Sequence, residues 1–371
     1  MGWPGWLRKC PPPPSTPPSP PPPSPSPRPG PQPTHPDPHS SPPPLPLQYP
    51  FVVTLVERQG LGIVVVPSDA SPAGTAYFSD LFGNTIRSYD FESMQTSIVR
   101  DDLYLPKNFA LAPDKPQLLY FVSENQIMTL DLRSYAVEVV AGTGGQGAAD
   151  GTALEASFVK PRGLAVIEGG RLIIADVYNK KLRELSNGYV STFTDLVFNP
   201  KGLAYDSHSS LLYVVDTACH VAVLDLASME MHGIAGTHGS CGTEDGRGDV
   251  ATFKQPGGIV LSHDRSTLYV ADYYSIRAID LTSGDFRRSS YIVSTILPSI
   301  GLQIEDVHID GNGNLVFTDY YGRRVRQLVL GSFSQPNAIH LMLCAEIADF
   351  FLHGPTIRYT LCWSCCNLLL L

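Results

Sequence analysis

The chain contains 371 residues, carries a formal net charge of −9 and has only 16% charged residues. An acidic chain repels phosphate backbones, so this balance argues against nucleic acid as a general partner. No apolar stretch approaches the ~18 residues that a membrane-spanning helix needs, so no membrane span is expected.

Residues 1–50 hold 23 of the 34 prolines and few aliphatic residues, which predicts a disordered, proline-rich tail. Such a segment cannot bury enough apolar surface to offset the entropy of ordering. Its first ten residues lack the apolar core of a signal peptide, which favours a cytoplasmic location. A secreted or cell-wall location is the alternative, because the Ser-Pro stretches resemble those of plant and green-algal wall glycoproteins.

An internal repeat organises residues 51–330. In each copy a short apolar strand precedes a second strand that ends in an anchor residue, usually Asp, and an alternating strand follows the turn. Four short strands per ~47 residues, repeated six times, predict an all-β, six-bladed β-propeller. The anchor residues, 40 to 56 positions apart, are Asp80, Ser123, Asp176, Asp216, Asp272 and Asp319.

One copy of the repeat reads Leu268-Tyr-Val-Ala-Asp272, with Ile276-Arg277 after the turn and a Phe-x-x-Pro-x-Gly motif at residues 253–258 before it. This pattern resembles the NHL repeat, and six copies cover about three quarters of the chain. The resemblance implies a propeller of NHL repeats that binds protein or RNA or, in some relatives, carries an enzyme site. It also implies that the strand at residues 51–57 completes the last blade and removes the open edges of the ring.

The repeated aspartates are predicted to be structural, as are the arginines that recur in the strand after each turn. Carboxylates spread around a ring cannot converge on one substrate. An Asp at a strand end can instead accept hydrogen bonds from backbone N–H groups of the following turn. We expect the arginines to pair with acidic neighbours; they are Arg87, Arg183, Arg277 and Arg326.

No metal, cofactor or catalytic residue is expected. The resemblance to six-bladed lactonases and amidating lyases implies that a metal site would use polar side chains on the inner strands, and His308 is the single candidate that the apolar inner segments offer. One histidine does not make a zinc or calcium site. We therefore predict a non-catalytic interaction scaffold, with a metal-dependent hydrolase or lyase as the alternative.

The predicted binding surface is the face where the turns between second and third strands meet the connections to the next blade. Two of these connections, residues 142–162 and 236–257, are long, and Phe158 and Phe253 are expected to plug them onto the ring. Exposed tyrosines are good anchors for a protein partner. The alternative is that they cover the blade edges. The predicted contact residues of this monomeric propeller are Tyr178, Tyr273, Tyr274, Tyr320, Tyr321 and Arg323.

The seven cysteines are odd in number, and four of them fall within the last 28 residues. This spacing differs from a secreted disulfide framework, so mostly free thiols are expected. Residues 331–371 do not continue the repeat, and residues 337–351 are compatible with an amphipathic helix.

Overall fold

The computed structural model describes residues 51–330, except 58–59, 69–71, 81–82, 113 and 300. The predictions for the proline-rich tail and for residues 331–371 lie outside the described residues. The described chain forms six antiparallel sheets, and the first strand of each sheet contacts the first strand of the next until the ring closes. The prediction of an all-β, six-bladed propeller is therefore confirmed.

The strands are numbered in chain order, and each blade is given from its innermost strand outward. Blade 1 contains β2 (Ile63–Val66), β3 (Thr75–Asp80), β4 (Thr85–Asp90) and β5 (Gln95–Arg100). Blade 2 contains β6 (Pro106–Ala112), β7 (Lys115–Ser123), β8 (Gln126–Asp131) and β9 (Val137–Ala141). Blade 3 contains β11 (Pro161–Ile167), β12 (Arg171–Asp176), β13 (Lys181–Ser186), β14 (Tyr189–Asp195) and β10 (Gly151–Thr152).

Blade 4 contains β15 (Pro200–Asp206), β16 (Leu211–Asp216), β17 (His220–Asp225) and β18 (Glu230–Gly236). Blade 5 contains β20 (Pro256–Leu261), β21 (Thr267–Asp272), β22 (Ser275–Asp280), β23 (Ile292–Leu297) and β19 (Gly246–Arg247). Blade 6 contains β24 (Ile304–Ile309), β25 (Leu315–Asp319), β26 (Arg324–Val329) and β1 (Phe51–Val56). Three short 3-10 helices occur, at Glu168–Gly170, Val177–Asn179 and Arg288–Ser290. No helix in the described part of the chain is long and apolar enough to cross a membrane.

Glycine near the start of the inner strands lets neighbouring blades approach closely. A Cβ atom on Gly163 would lie 2.5 Å from the carbonyl oxygen of Lys201 on the next inner strand, closer than a side chain tolerates. The buried apolar residues form six clusters, one between each pair of adjacent blades. The core is thus a ring of blade-to-blade interfaces, because each twisted sheet buries both of its faces.

The last blade combines strands from both ends of the repeat region. β1 pairs antiparallel with β26, from Phe51 opposite Val329 to Val56 opposite Val325. Arg326 Nη1 donates a 3.0 Å hydrogen bond to Thr54 Oγ1 across this pair. Val56 is buried in a cluster with Val325 and with residues of blade 1. β1 therefore covers the edge of β26 and also seals the interface with the first blade.

The two long connections lie along the outer edge of the blade that follows them. Each contributes a two-residue strand: β10 pairs with β14 in blade 3, and β19 pairs with β23 in blade 5. Phe158 and Phe253 are fully buried between blades, as expected of plugs. The plugs anchor the connections to the ring at one point, and the added strands anchor them at a second.

Four of the repeated aspartates form ion pairs with the repeated arginines, fully buried for Arg183 and Arg277 and partly buried for Arg87 and Arg326. The N–O distance is 3.1 Å for Arg87 with Asp80, 3.0 Å for Arg183 with Asp176, 3.3 Å for Arg277 with Asp272 and 3.1 Å for Arg326 with Asp319. The expected pairing with acidic neighbours is therefore confirmed, and the partner is the anchor aspartate of the same repeat.

The aspartates themselves follow two patterns. Asp80, Asp216 and Asp319 accept hydrogen bonds from the N–H groups of the following turn, as predicted. For Asp176 and Asp272 the prediction was wrong. Their backbone donors, which include Val159 and Lys254, precede the inner strand, and Asp319 also accepts from Gln303 at the equivalent place.

The expectation of mostly free thiols is corrected for the two cysteines that the structure describes. Cys219 and Cys241 form a disulfide with a Cα–Cα distance of 5.2 Å. Blade 4 carries Ala222 where blades 1, 3, 5 and 6 carry the paired arginine, because Ala222 lies opposite Val214 as Arg183 lies opposite Ile174. The disulfide thus ties the second long connection to a blade that lacks the arginine. The other five cysteines lie outside the described residues.

Candidate functional site

Four of the predicted contact tyrosines lie in the turns of blades 5 and 6. The ring centroids of Tyr273 and Tyr274 are 4.1 Å apart, and those of Tyr320 and Tyr321 are 6.0 Å apart. The polar interaction with Tyr274 is the largest cause that raises the pKa of Tyr273 to about 12, and Tyr321 of the neighbouring blade adds to the rise. We call Tyr273, Tyr274, Tyr320 and Tyr321 the tyrosine cluster.

The other two predicted contact residues are placed differently. Tyr178 belongs to blade 3, so blade 4 separates it from the tyrosine cluster, and its side chain is 60% exposed. The Lys160 ammonium group lies 5.2 Å from the centre of its ring. Arg323 is exposed in the turn of blade 6, where its backbone N–H donates to the carbonyl of Tyr320. All six residues lie at one end of the ring, but they form two groups.

A central cavity of about 830 Å³ lies between the inner strands, and its lining includes Arg162 at this end of the ring and His263 at the other. Arg162, Lys201 and Glu305 line it beside the apolar residues. A smaller cavity of about 280 Å³ adjoins it, because Arg162 and Lys201 line both, and Lys160 and Tyr178 line the smaller one. We call Lys107, Lys160, Arg162 and Lys201 the cationic mouth.

Sequence reasoning missed these charged residues because it began each inner strand at its apolar segment. The strands begin earlier, at Pro106, Pro161, Pro200, Pro256 and Ile304. The residue after each of these is Lys107, Arg162, Lys201, Gly257 or Glu305. The sequence did contain a signal for them, because they occupy the variable position between Pro and Gly in the Pro-x-Gly part of the repeat motif.

The expectation that His308 is the single polar candidate on the inner strands was therefore wrong, since Glu305 and Asp306 share β24 with it. Asp306 Oδ2 accepts a 3.1 Å hydrogen bond from the Ile63 N–H group in blade 1. His308 Nδ1 lies 3.3 Å from the Val65 nitrogen and 3.1 Å from the Ile309 oxygen, so its role depends on the tautomer. Both side chains are committed to the contact between the first and last inner strands.

A metal centre does not fit the described donor set. Within residues 51–330, as far as the structure describes them, no three His, Cys, Asp or Glu side chains lie close enough together to hold an ion. Catalytic zinc sites use about three protein ligands, and calcium sites use more. We therefore assign Asp306 and His308 a structural role, in which they hold the inner strands of blades 6 and 1 together. We call them the clasp residues.

Burial shifts the pKa values of the two clasp residues in opposite directions. It raises the pKa of Asp306 from 3.8 to about 7, with Glu305 adding to the rise and Lys201 opposing it. Burial lowers the pKa of His308 from 6.5 to about 4, and His263 lowers it further. Between pH 4 and 6.5 the folded protein thus holds a proton on Asp306, whereas the unfolded chain holds one on His308.

Each pKa shift makes the stability of the protein depend on pH. We expect the contributions of Asp306 and His308 to cancel in the wild type and to become visible when one of the two groups is removed. An acid with a raised pKa in the folded state loses stability as pH rises, whereas a base with a lowered pKa gains it, each by up to about 1.4 kcal/mol per pH unit. Relative to the wild type, Asp306→Asn should therefore gain stability as pH rises from 4 to 7. His308→Gln should lose stability as pH rises from 4 to 6.5. Urea unfolding at several pH values measures both slopes, and parallel pH profiles for all three proteins would refute the assignment.

Comparison with known proteins shows sequence similarity over part of the chain. No family model matches the sequence. NHL repeat-containing protein 2 of Bos taurus is 30% identical over 150 residues, which are 33% of this chain and 21% of that protein. The Gallus gallus protein of the same name is 29% identical over the same shares. The matched region thus spans about a fifth of the length of these curated relatives.

Solved structures match over the whole ring at low identity. An auxiliary nutrient binding protein from Bacteroides thetaiotaomicron is 12% identical with a TM-score of 0.58, over 75% of this chain and 76% of that chain. A gluconolactonase from Xanthomonas campestris is 18% identical with a TM-score of 0.54, over 77% and 91%. A chain of a nidogen–laminin complex is 17% identical with a TM-score of 0.51, over 67% and 84%. These likenesses establish the fold.

The chain is a six-bladed β-propeller, by the count of its sheets and by its solved neighbours. Its repeat motif resembles the NHL repeat, and part of the chain is similar to NHL repeat-containing protein 2.

Proposed function

We propose that the protein is a non-catalytic scaffold that binds a protein partner through the face that carries the tyrosine cluster. The observation that carries this proposal is the contact of exposed aromatic side chains across two blades. Tyr321 is 64% exposed and lies close enough to Tyr273 of the neighbouring blade to help raise the pKa of Tyr273. Rigid tyrosines buried on binding contribute large contact area at a low cost in side-chain entropy.

The alternative role for these tyrosines is to cover the blade edges. Tyr178 and Tyr321 each leave more than half of their surface in solvent, so they add little to the buried clusters between blades. Tyr273, by contrast, is partly buried and its backbone bridges to Ile304 at the start of the next inner strand. The exposed members therefore support the binding role more strongly than the partly buried ones.

A metal-dependent hydrolase or lyase is the competing function, and it is favoured by the enzymes among the solved neighbours. Those neighbours include the gluconolactonase and a luciferin-regenerating enzyme, which is 14% identical with a TM-score of 0.54. At such identities the likeness concerns the fold, which hosts many unrelated functions. The described donor set, which does not fit a three-ligand metal centre, leaves the scaffold as the function that we propose.

Partner binding should depend on the tyrosine cluster. We expect the Tyr273→Ala/Tyr321→Ala variant of the full chain to lose at least about tenfold in affinity, because central aromatic anchors contribute 2 kcal/mol or more. The matched control is Tyr189→Ala, since Tyr189 is 61% exposed and lies in β14 beside the turn at the other end of its blade.

The measurement is quantitative capture from cell extract by the wild type, the double variant and the control, followed by titration of the captured partner. A partner that the control retains and the double variant loses supports the proposal. Equal retention by all three proteins would exclude this face.

The disulfide bears on the compartment. Disulfides persist in oxidising compartments and are rare in the cytosol, so we propose the secreted or cell-wall location rather than the cytoplasmic one. Cys219 and Cys241 should then resist alkylation in protein taken from its native cells without reductant. Full alkylation of both cysteines under these conditions would favour the cytoplasm.

A further inference from the structure

We propose that the cationic mouth and the cavity behind it form a binding site for a small organic anion that carries a carboxylate or phosphate group. The site is separate from the tyrosine cluster, because blades 2, 3 and 4 provide its charges and blades 5 and 6 provide the tyrosines. The proposal rests on the convergence of charges, on the absence of an ion-pair partner for Arg162 and Lys107 among the described residues, and on the size and lining of the cavity.

The charges converge because they occupy equivalent positions in consecutive repeats. Lys107, Arg162 and Lys201 each follow the proline that begins an inner strand, and the inner strands are neighbours in the ring. Burial and then repulsion by Arg162 lower the pKa of Lys107 to about 8. Burial also lowers the pKa of Lys201, where Glu305 opposes the shift and Arg162 adds to it. Like charges held this close destabilise one another, and a bound anion would relieve the repulsion.

The cations are poorly compensated within the protein. In the part of the chain that the structure describes, no carboxylate lies within ion-pair distance of Arg162 or Lys107. Lys201 is 3.6 Å from Glu305, and both side chains are 16% exposed. An unpaired guanidinium group in a cavity is suited to bind a carboxylate or phosphate through two parallel hydrogen bonds.

The nearby acidic groups already have partners. Glu305 accepts a 2.8 Å hydrogen bond from Gln303 in addition to its contact with Lys201. Asp306 accepts hydrogen bonds from the Ile63 and Val307 N–H groups. Glu124 acts on Lys107 at longer range, raising its pKa slightly against the larger lowering effects. Around the mouth, four cations thus face three carboxylates, and the pKa of Asp306 near 7 leaves that group partly neutral. At the other end of the cavity, Asp114 and Glu168 also line it, so the excess of positive charge is confined to the mouth.

The cavity suits a molecule of metabolite size. Its volume of about 830 Å³ falls within the usual ~300–1,000 Å³ for small-molecule sites. Alternating apolar residues of the inner strands, such as Leu164 and Ile259, form its walls. Asn108 also lines it, and its buried Oδ1 atom has no hydrogen-bond partner among the described residues.

Calorimetric titration of the full-length protein tests the proposal with three anionic probes: inorganic phosphate, phenyl phosphate and citrate. We expect at least one of them to bind with a Kd below about 1 mM, and binding should weaken as salt is added. Phosphate-containing probes and citrate distinguish the two anionic groups. Glucose is the neutral control, and it should not bind.

Variants locate the site. Arg162→Gln and Lys201→Gln should each weaken binding by about tenfold or more, since each removes a charged hydrogen-bond donor from the cavity. Lys115→Gln, at an exposed lysine that begins β7, should leave affinity unchanged. Tyr273→Ala/Tyr321→Ala should also leave it unchanged, which separates this test from that of the scaffold proposal. The proposal would be overturned by no binding at about 10 mM of any probe, or by wild-type affinity in Arg162→Gln.

Discussion

Replacing Arg183 with methionine should lower the free energy of unfolding by about 3–5 kcal/mol, the usual cost of removing one partner from a buried ion pair. The Arg183 side chain is fully buried and donates to Asp176 at 3.0 Å and to Asp150 at 3.0 Å. It also donates to the carbonyl oxygens of Ala149 and Ser157. Methionine fills similar volume but leaves Asp176 buried without its cation and releases the connection between blades 2 and 3.

Urea unfolding measures this loss of stability, and two further variants show what causes it. Arg100→Met removes an exposed ion pair with Asp102, for which we expect less than about 1 kcal/mol. Adding Asp176→Asn to Arg183→Met should recover part of the loss, because the amide removes the uncompensated buried charge. A loss for Arg183→Met no larger than for Arg100→Met would contradict the assigned role.

Deleting residues 51–57 should have the second large effect, a loss on the order of 5 kcal/mol together with self-association. The deletion removes every backbone partner that β1 gives to β26, and it withdraws Val56 from the core between blades 6 and 1. It also exposes the edge of β26, and an exposed strand edge is a template for pairing with another chain.

Thermal unfolding and size-exclusion chromatography of the full chain and of two deletion variants test this expectation. Removing residues 11–17 deletes the same number of residues from the proline-rich segment, and it should change neither quantity. If both deletions leave the protein equally stable and of unchanged size, β1 does not act as a closing strand.

The fold was predictable because three local signals recur in phase. Alternating apolar residues mark the strands, the anchor aspartates mark the ends of the second strands, and glycines mark the close approach of inner strands. The charged residues of the cavity gave no such signal. Between Pro161 and Leu164 the pairing of β11 with β12 is irregular, and equivalent shifts occur in blades 4, 5 and 6. Such a shift breaks the period of two on which strand reading depends.

The contacts of blade 4 were also beyond the reach of sequence reasoning. Ala222 replaces the repeated arginine, so Asp216 lacks the usual partner, and His238 from the second long connection hydrogen-bonds with it instead. Cys219 and Cys241 fix the same connection to the same turn. The partners are about twenty residues apart in sequence and meet because of the path of the connection, which no local pattern specifies.

The connections divide the ring into pairs of blades. Strands β10, β19 and β1 lock blade 2 to blade 3, blade 4 to blade 5 and blade 6 to blade 1. Short links of about five residues, such as 101–105 and 196–199, join the remaining neighbours. Mechanically, the ring resembles three two-blade modules that meet at three seams without an added strand, although a backbone bridge between Tyr273 and Ile304 joins blades 5 and 6. On heating, the ring should therefore open first at these seams. Protection of backbone amides from hydrogen exchange should then be similar within a module and differ between modules.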